Sequence, residues 1–192
     1  MCTRNSDELG RFRGLKYVQS SLVDSFKEIP NKRIVKDDYI FCYFLGNNPE
    51  QRTEVGKLAK LTGLKIVMLR HLGEYIADDE RFGDYAPYDI GPGEFVNLIR
   101  YADYVCTDSF HGSVFSVIYQ KQFISFNRYK DGVNSRNSRL DTLFTNTGIN
   151  RRYQGNIIEE IMKPIDYDEV EIRLSQCRRN AERYLKEALI ND

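Results

Sequence analysis

Residues 101–128 read YADYVCTDSFHGSVFSVIYQKQFISFNR, and their reading decides the fold. Residues 104–107 and 122–126 are short apolar runs, and between them Val114, Phe115 and Ile118 recur at helical spacing. A strand buried on both faces shows as a continuous apolar run rather than as alternation. The stretch therefore predicts strand, turn, helix, strand, with the two strands parallel. The turn carries Asp108, Ser109, Phe110, His111 and Gly112, and holds one of only two histidines in the protein.

The same pattern extends upstream. YIFCYFL at 39–45 predicts a buried strand, the GNN of 46–48 breaks it, and Pro49 suits the first turn of a helix. Val55, Leu58 and Ala59 give that helix an apolar stripe, Gly63 ends it, and KIVML at 65–69 predicts a second strand. Residues 70–91 read as a long polar loop with scattered aromatics, a length that usually marks a functional or mobile segment. Pro92 opens a helix reaching Arg100. Downstream, a loop rich in Asn, Ser and Gly leads to a helix over 139–146, which Gly148 stops. A final helix over 167–189 bears one stripe of Val170, Leu174, Cys177, Ala181, Tyr184 and Ala188. The alternation of strands and helices predicts an α/β, Rossmann-like, doubly wound and mostly parallel sheet. It occupies residues 37–192 together with the C-terminal helix. Residues 1–36, with eight Lys/Arg against four Asp/Glu and no sustained period, read as an N-terminal arm or the remnant of a preceding domain.

The bulk composition narrows the function. Of 192 residues, 28 are Lys or Arg and 28 are Asp or Glu, a balance that gives no electrostatic footprint for nucleic acid. No apolar run has the length of about 20 residues that a membrane span needs. Cys2, Cys42, Cys106 and Cys177 form no CxxC pair, so neither a disulfide framework nor a zinc site is expected, and a cytoplasmic location is the default expectation.

In an open parallel sheet, ligands bind beyond the carboxyl ends of the strands. That rule gathers the notable polar residues at one edge: Gly46-Asn47-Asn48, Arg70 and His71, Asp108 to Gly112, and Asn127 with Arg128. Ser109 suits a helix cap, and the N–H groups of Phe110, His111, Gly112 and Ser113 suit an anion. The positive helix end lowers the pKa of His111, while Asp108 or a bound anion raises it. That competition suits a general acid/base. Gly112 allows a ligand or another backbone to approach. Arg70 and Arg128 can clamp carboxylate or phosphate, and Arg139 stands at another helix start. For each residue an ordinary role competes: capping for Asp108 and Ser109, solvation or capping for His111, surface pairing for the arginines, loop orientation for His71.

PGEFVNLIRYADYVCTDSFHGSVFSVIYQKQFISFNR, followed by NSRLDTLFTNTGI, resembles the C-terminal half of the polysaccharide pyruvyl transferases, over residues 38–150. The resemblance implies one of two Rossmann-like domains in a glycosyltransferase-B-like arrangement. It implies transfer of a pyruvyl group from phosphoenolpyruvate to a sugar of a surface polysaccharide, with phosphoenolpyruvate as co-substrate and no resident cofactor or metal. His111 matches the motif histidine and becomes the catalytic candidate. Asp108, Ser109, Phe110, Gly112, Ser113, Arg70, His71, Arg128 and Arg139 become the substrate-binding set. Two features depart from the family. Ser109 and Phe110 stand where many members have arginine and leucine, and the resemblance leaves unmatched the N-terminal domain expected to form the opposite wall of the cleft. Two other readings compete: a nucleotide-sugar glycosyltransferase domain, and a non-catalytic binding or assembly module that dimerises through its terminal helix or arm.

Overall fold

The computed structural model describes residues 29–70, 73, 75–128 and 138–190. Four strands, β1 (Tyr39–Tyr43), β2 (Lys65–Leu69), β3 (Tyr104–Thr107) and β4 (Gln122–Ser125), form one sheet in the order β2-β1-β3-β4. Every pairing is parallel, with Cys42 opposite both Met68 and Cys106, and Cys106 opposite Ile124. The connecting helices are α1 (Pro49–Thr62), α2 (Pro92–Arg100) and α3 (Phe110–Ile118).

Alternate residues of each strand serve opposite faces. Ile40, Cys42 and Phe44, with Ile66, Met68, Cys106, Ile124 and Phe126, pack on Val55 and Leu58 of α1 and on Ile157 and Ile161 of a further helix, α5 (Ile157–Met162). On the other face Phe41 and Tyr43 meet Phe95 of α2 edge-on at 5.9 and 5.1 Å, and Phe95 meets Phe115 of α3 at 6.1 Å. The chain thus leaves β1 toward one face and β3 toward the other. That is what right-handed crossovers demand when the strand order reverses.

Local chemistry explains the helix ends. Asn48 caps α1 by accepting the Glu50 N–H, Pro49 follows it, and Gly63 closes the helix with a φ of 71°. Asn156 caps α5 by accepting the Glu159 N–H, while the buried Arg151 guanidinium donates to the carbonyls of Glu160 and Lys163 at its far end, as the helix dipole favours. This six-residue helix is too short to show a period in the sequence and was not expected. The 70–91 segment carries more structure than the loop expected of it. A 3-10 turn spans Ala77–Glu80, and Tyr85 bridges to Val67 at the edge of the sheet.

The segment before β1 is tied down by one fully buried amide. Asn97 of α2 donates to the carbonyls of Pro30 and Lys32 at 2.6 and 3.1 Å and accepts the Ile34 N–H at 3.2 Å.

By contacts the chain divides into two units, and the sheet unit takes residues 28–137 and 151–165. In the other unit, α4 (Ser138–Thr147) and α6 (Tyr167–Ile190) are in contact. Gly148 ends α4 with a φ of 73°. The α6 stripe is buried at Val170, Leu174 and Ala181, but Tyr184 and Ala188 are exposed, so it serves only the first part of the helix.

Candidate functional site

The strand order places the topological switch point between β1 and β3, and one carboxylate closes it. β1 ends at Tyr43, two residues short of the expected Leu45, because Asp108 takes the next N–H groups out of the ladder. Its Oδ1 accepts the Leu45 N–H at 2.8 Å and its Oδ2 the Gly46 N–H at 3.0 Å. Gln51 of α1 adds a third donor, Nε2 to Oδ2 at 3.3 Å, and also reaches the Asn127 carbonyl at 3.0 Å. Burial pushes the Asp108 carboxyl above the usual carboxylate range, against the opposing pull of the Leu45 N–H, Arg128, Gln51 and the Gly46 N–H. Tyr43 stands half-buried at the same edge. Burial and the Asp108 charge raise its phenol pKa, and Arg128 lowers it.

Arg128, just after β4, lies against this carboxylate without gripping it. Its Nε is 3.8 Å from Asp108 Oδ1, and its NH2 group donates to the Asp108 main-chain oxygen at 3.5 Å. Those are its only polar contacts among the described residues, and its side chain is 21% exposed where that of Asp108 is fully buried. The stem crosses Gly46. A Cβ there would stand 2.6 Å from the Arg128 carbonyl oxygen, 2.7 Å from its Cγ and 3.2 Å from Asp108 Oδ2. Gly46 is therefore glycine for close approach. The loops after β1, β3 and β4 meet at one point.

The turn after β3 uses much of its polarity on itself. Ser109 is the buried N-cap of α3, its Oγ accepting the Gly112 N–H at 3.5 Å and its carbonyl the Ser113 N–H at 3.0 Å. Two of the four N–H groups expected to face an anion are thus engaged within the helix. Ser113, fully buried, donates from Oγ to the Ser109 carbonyl at 3.1 Å, and its Oγ and that of Ser125 share a hydrogen bond at 3.3 Å. The close approach at Gly112 is made by a side chain rather than by a ligand or backbone. A Cβ there would lie 2.6 Å from Thr107 Oγ1, which itself donates to the Tyr43 carbonyl and accepts the Ser109 N–H. Phe110 is half-buried with its ring edge-on to that of His111 at 5.7 Å, and His111 is exposed on the first turn of α3.

Arg70 follows β2, which β1 separates from β3, so two strand spacings of roughly 5 Å each lie between their ends. It donates to the Tyr88 hydroxyl at 3.2 Å, with its guanidinium 6.0 Å from the centre of that ring. His71 lies outside the described residues. Arg139 is exposed in the first turn of α4, in the other unit.

Sequence reasoning missed Gln51 and Arg52. Both precede Val55 by a helical turn, so they continue its apolar stripe, and polar residues on a buried stripe were the available signal. Arg52 donates from Nε to Asp79 Oδ1 at 2.6 Å and reaches the carbonyls of Gly46 and Asn48, binding the β1 turn to the 3-10 turn after β2. Among the described residues no group of three or more His, Cys, Asp or Glu is placed to hold a metal ion, and no helix is long and apolar enough to cross a membrane.

The fold and this edge define a class: a Rossmann-like α/β unit with a buried aspartate and a partly exposed arginine paired at its switch point. The chain belongs to the polysaccharide pyruvyl transferase family, whose model matches residues 11–129, more than half of its length. The match begins earlier than the expected residue 38 and stops before the NSRLDTLFTNTGI run, so Arg128 and His111 lie inside it and Arg139 outside. Among solved structures, a glycotransferase of kitacinnamycin superposes with a TM-score of 0.51 at 12% identity, over 84% of this chain and 46% of that one. The glycosyltransferase SnogD from Streptomyces nogalater gives 0.46 at 11% identity, over 86% and 47%. A UDP-GlcNAc 2-epimerase from Methanocaldococcus jannaschii gives 0.42 at 11%, over 91% and 48%. The first likeness shows a shared fold, and the chain spans about half the length of each of these structures. No curated protein sequence matches it.

Proposed function

We propose that this chain is the donor-binding half of a polysaccharide pyruvyl transferase, taking phosphoenolpyruvate at the switch-point crevice and passing its pyruvyl group to a sugar of a surface polysaccharide. The observation that carries the reading is Arg128, held at the crevice with donors that no described residue takes, beside the turn that exposes His111. Guanidinium suits the planar carboxylate and the phosphate of this substrate. In ketal formation the methylene carbon of phosphoenolpyruvate gains a proton and becomes a methyl group. Two sugar hydroxyl oxygens bond to the central carbon, and the bond from that carbon to the phosphate oxygen breaks. Of the two hydroxyl protons lost, one balances the new C–H bond and the other leaves on phosphate. His111 is the acid/base we assign to these transfers, with no resident cofactor, in the cytoplasm. An N-terminal domain or a second copy of the chain would supply the acceptor side.

The test follows phosphate release from phosphoenolpyruvate by the longest available form of the protein with candidate glycans. Release should occur and should fall at least about a hundredfold in His111→Ala, as loss of a general acid/base predicts. Undiminished release in that variant would remove His111 from the chemistry. Thermal stabilisation by a uridine or guanosine diphosphate, and none by phosphoenolpyruvate, would replace this reading with a nucleotide-sugar transferase.

A further inference from the structure

We infer that Asp108 and Gly46 are positioning residues, a seat that presents the Arg128 guanidinium to an anionic ligand, and that Asp108 itself does not touch that ligand. The inference uses the proposed function only to name the anion; the seat stands on geometry alone.

The arrangement has three parts, one from each of three strand ends. Asp108 is fully buried, and both oxygens are occupied by the protein's own donors: the Leu45 and Gly46 N–H groups and Gln51 Nε2. It has no oxygen turned to solvent with which to meet a substrate. Gly46 lacks the Cβ that would collide with the Arg128 stem and carbonyl, so the stem can lie across it. The head of Arg128 is then held loosely, by a 3.8 Å ion pair and a 3.5 Å hydrogen bond, both toward Asp108. Guanidinium carries five donors in a rigid fork, and the contacts to Asp108 use the edge that holds Nε and NH2. The rest of the fork meets no described residue, and the seat directs it toward a partner. A carboxylate or phosphate oxyanion is the chemical class that matches it.

The sign of one substitution separates this from the simpler alternative. If Asp108 were only a negative charge near the crevice, neutralising it would tighten the binding of an anion. If it seats Arg128, neutralising it weakens binding despite the gain in positive potential. Calorimetric titration of inorganic phosphate, and separately of phosphoenolpyruvate, into the 192-residue protein and its variants reads the difference. Circular dichroism and the unfolding midpoint establish that each variant folds. Phosphate affinity should fall at least about tenfold in Arg128→Ala, the scale of a charge-assisted hydrogen bond, and about fivefold in Asp108→Asn. Arg128→Lys, which keeps the charge without the fork, should recover only part of the loss. Gly46→Ala provides an independent arm with Asp108 intact and should also weaken binding severalfold.

Unchanged or tighter phosphate binding in a folded Asp108→Asn overturns the inference, as does unchanged binding in Gly46→Ala if the first variant does not fold. A wild type that takes up no phosphate at millimolar concentration overturns it too. Binding of phosphate with no preference for phosphoenolpyruvate would leave the seat standing and count against the proposed donor instead.

Discussion

Two aspartate–arginine pairs sit at the same edge of the same sheet, and they are built oppositely. Arg52 and Asp79 meet at 2.6 Å with side chains 5% and 8% exposed, and the guanidinium is further used by the Gly46 and Asn48 carbonyls and faces the Phe44 ring at 5.5 Å. Arg128 and Asp108 are 3.8 Å apart, with the acid occupied by backbone and amide donors and the arginine left partly open. In the first pair both partners are satisfied within the fold, so it acts as a latch between the β1 turn and the 3-10 turn. In the second, among the described residues, only the acid is satisfied. A half-satisfied arginine over a satisfied acid is where the inferred anion would complete the structure. Gly46 joins the two, offering its carbonyl to Arg52 and its N–H to Asp108.

The largest effect should come from opening the latch. Arg52→Ala leaves Asp79 buried without its cation, a change that costs about 3–5 kcal/mol. We expect a correspondingly lower denaturant midpoint at unchanged slope. The double variant Arg52→Met, Asp79→Leu should recover most of that loss, because a well-packed apolar pair is often as stable as a buried ion pair. If the single variant were as stable as the wild type, the distinction between latch and seat would be lost.

Arg128→Ala should behave differently. Its contacts are long and its side chain is partly solvated, so we expect at most about 1 kcal/mol of destabilisation in the same denaturant experiment. Its effect belongs in ligand affinity rather than in the fold. A stability loss equal to that of Arg52→Ala would make Arg128 a second latch.

The comparison also explains what the sequence could disclose. All four strands and the helices α1, α2 and α3 were legible, since continuous apolar runs and a helical stripe are local properties of Ile40, Val67, Val105 and Leu58. Gly63 and Gly148 could be read as helix stops because their left-handed backbone is a local demand. The seat was not legible in the same way. Asp108, Gly46 and Arg128 lie 62 and 20 positions from one another along the chain, and only the strand order brings their loops together. Asp108 and Ser109 stood out in the sequence as polar residues of the turn, but whether such a residue faces a ligand or its own backbone depends on that tertiary placement. Arg52–Asp79 escaped for the same reason, and α5 because six residues show no period.

The smallest effect concerns pH, and it isolates the seat from the latch. Burial holds the Asp108 carboxyl above its ordinary value, with its donors and Arg128 only partly opposing this. The native state therefore binds the Asp108 proton more tightly than the unfolded chain does. The contribution of this group to stability is complete below the unfolded carboxyl value of about 3.9 and is lost as pH rises through the elevated native value. Asp108→Asn removes that titration and leaves Arg52–Asp79 untouched. Unfolding midpoints of the two proteins, compared from about pH 3.5 upward, should show the wild type losing ground to the variant as pH rises through this window, and a constant difference beyond it. A difference that instead moved in favour of the wild type would mean that its donors outweigh burial at Asp108. The seat would then bind its own acid as firmly as the latch binds Arg52, and the contrast between the two pairs would have to rest on the openness of Arg128 alone.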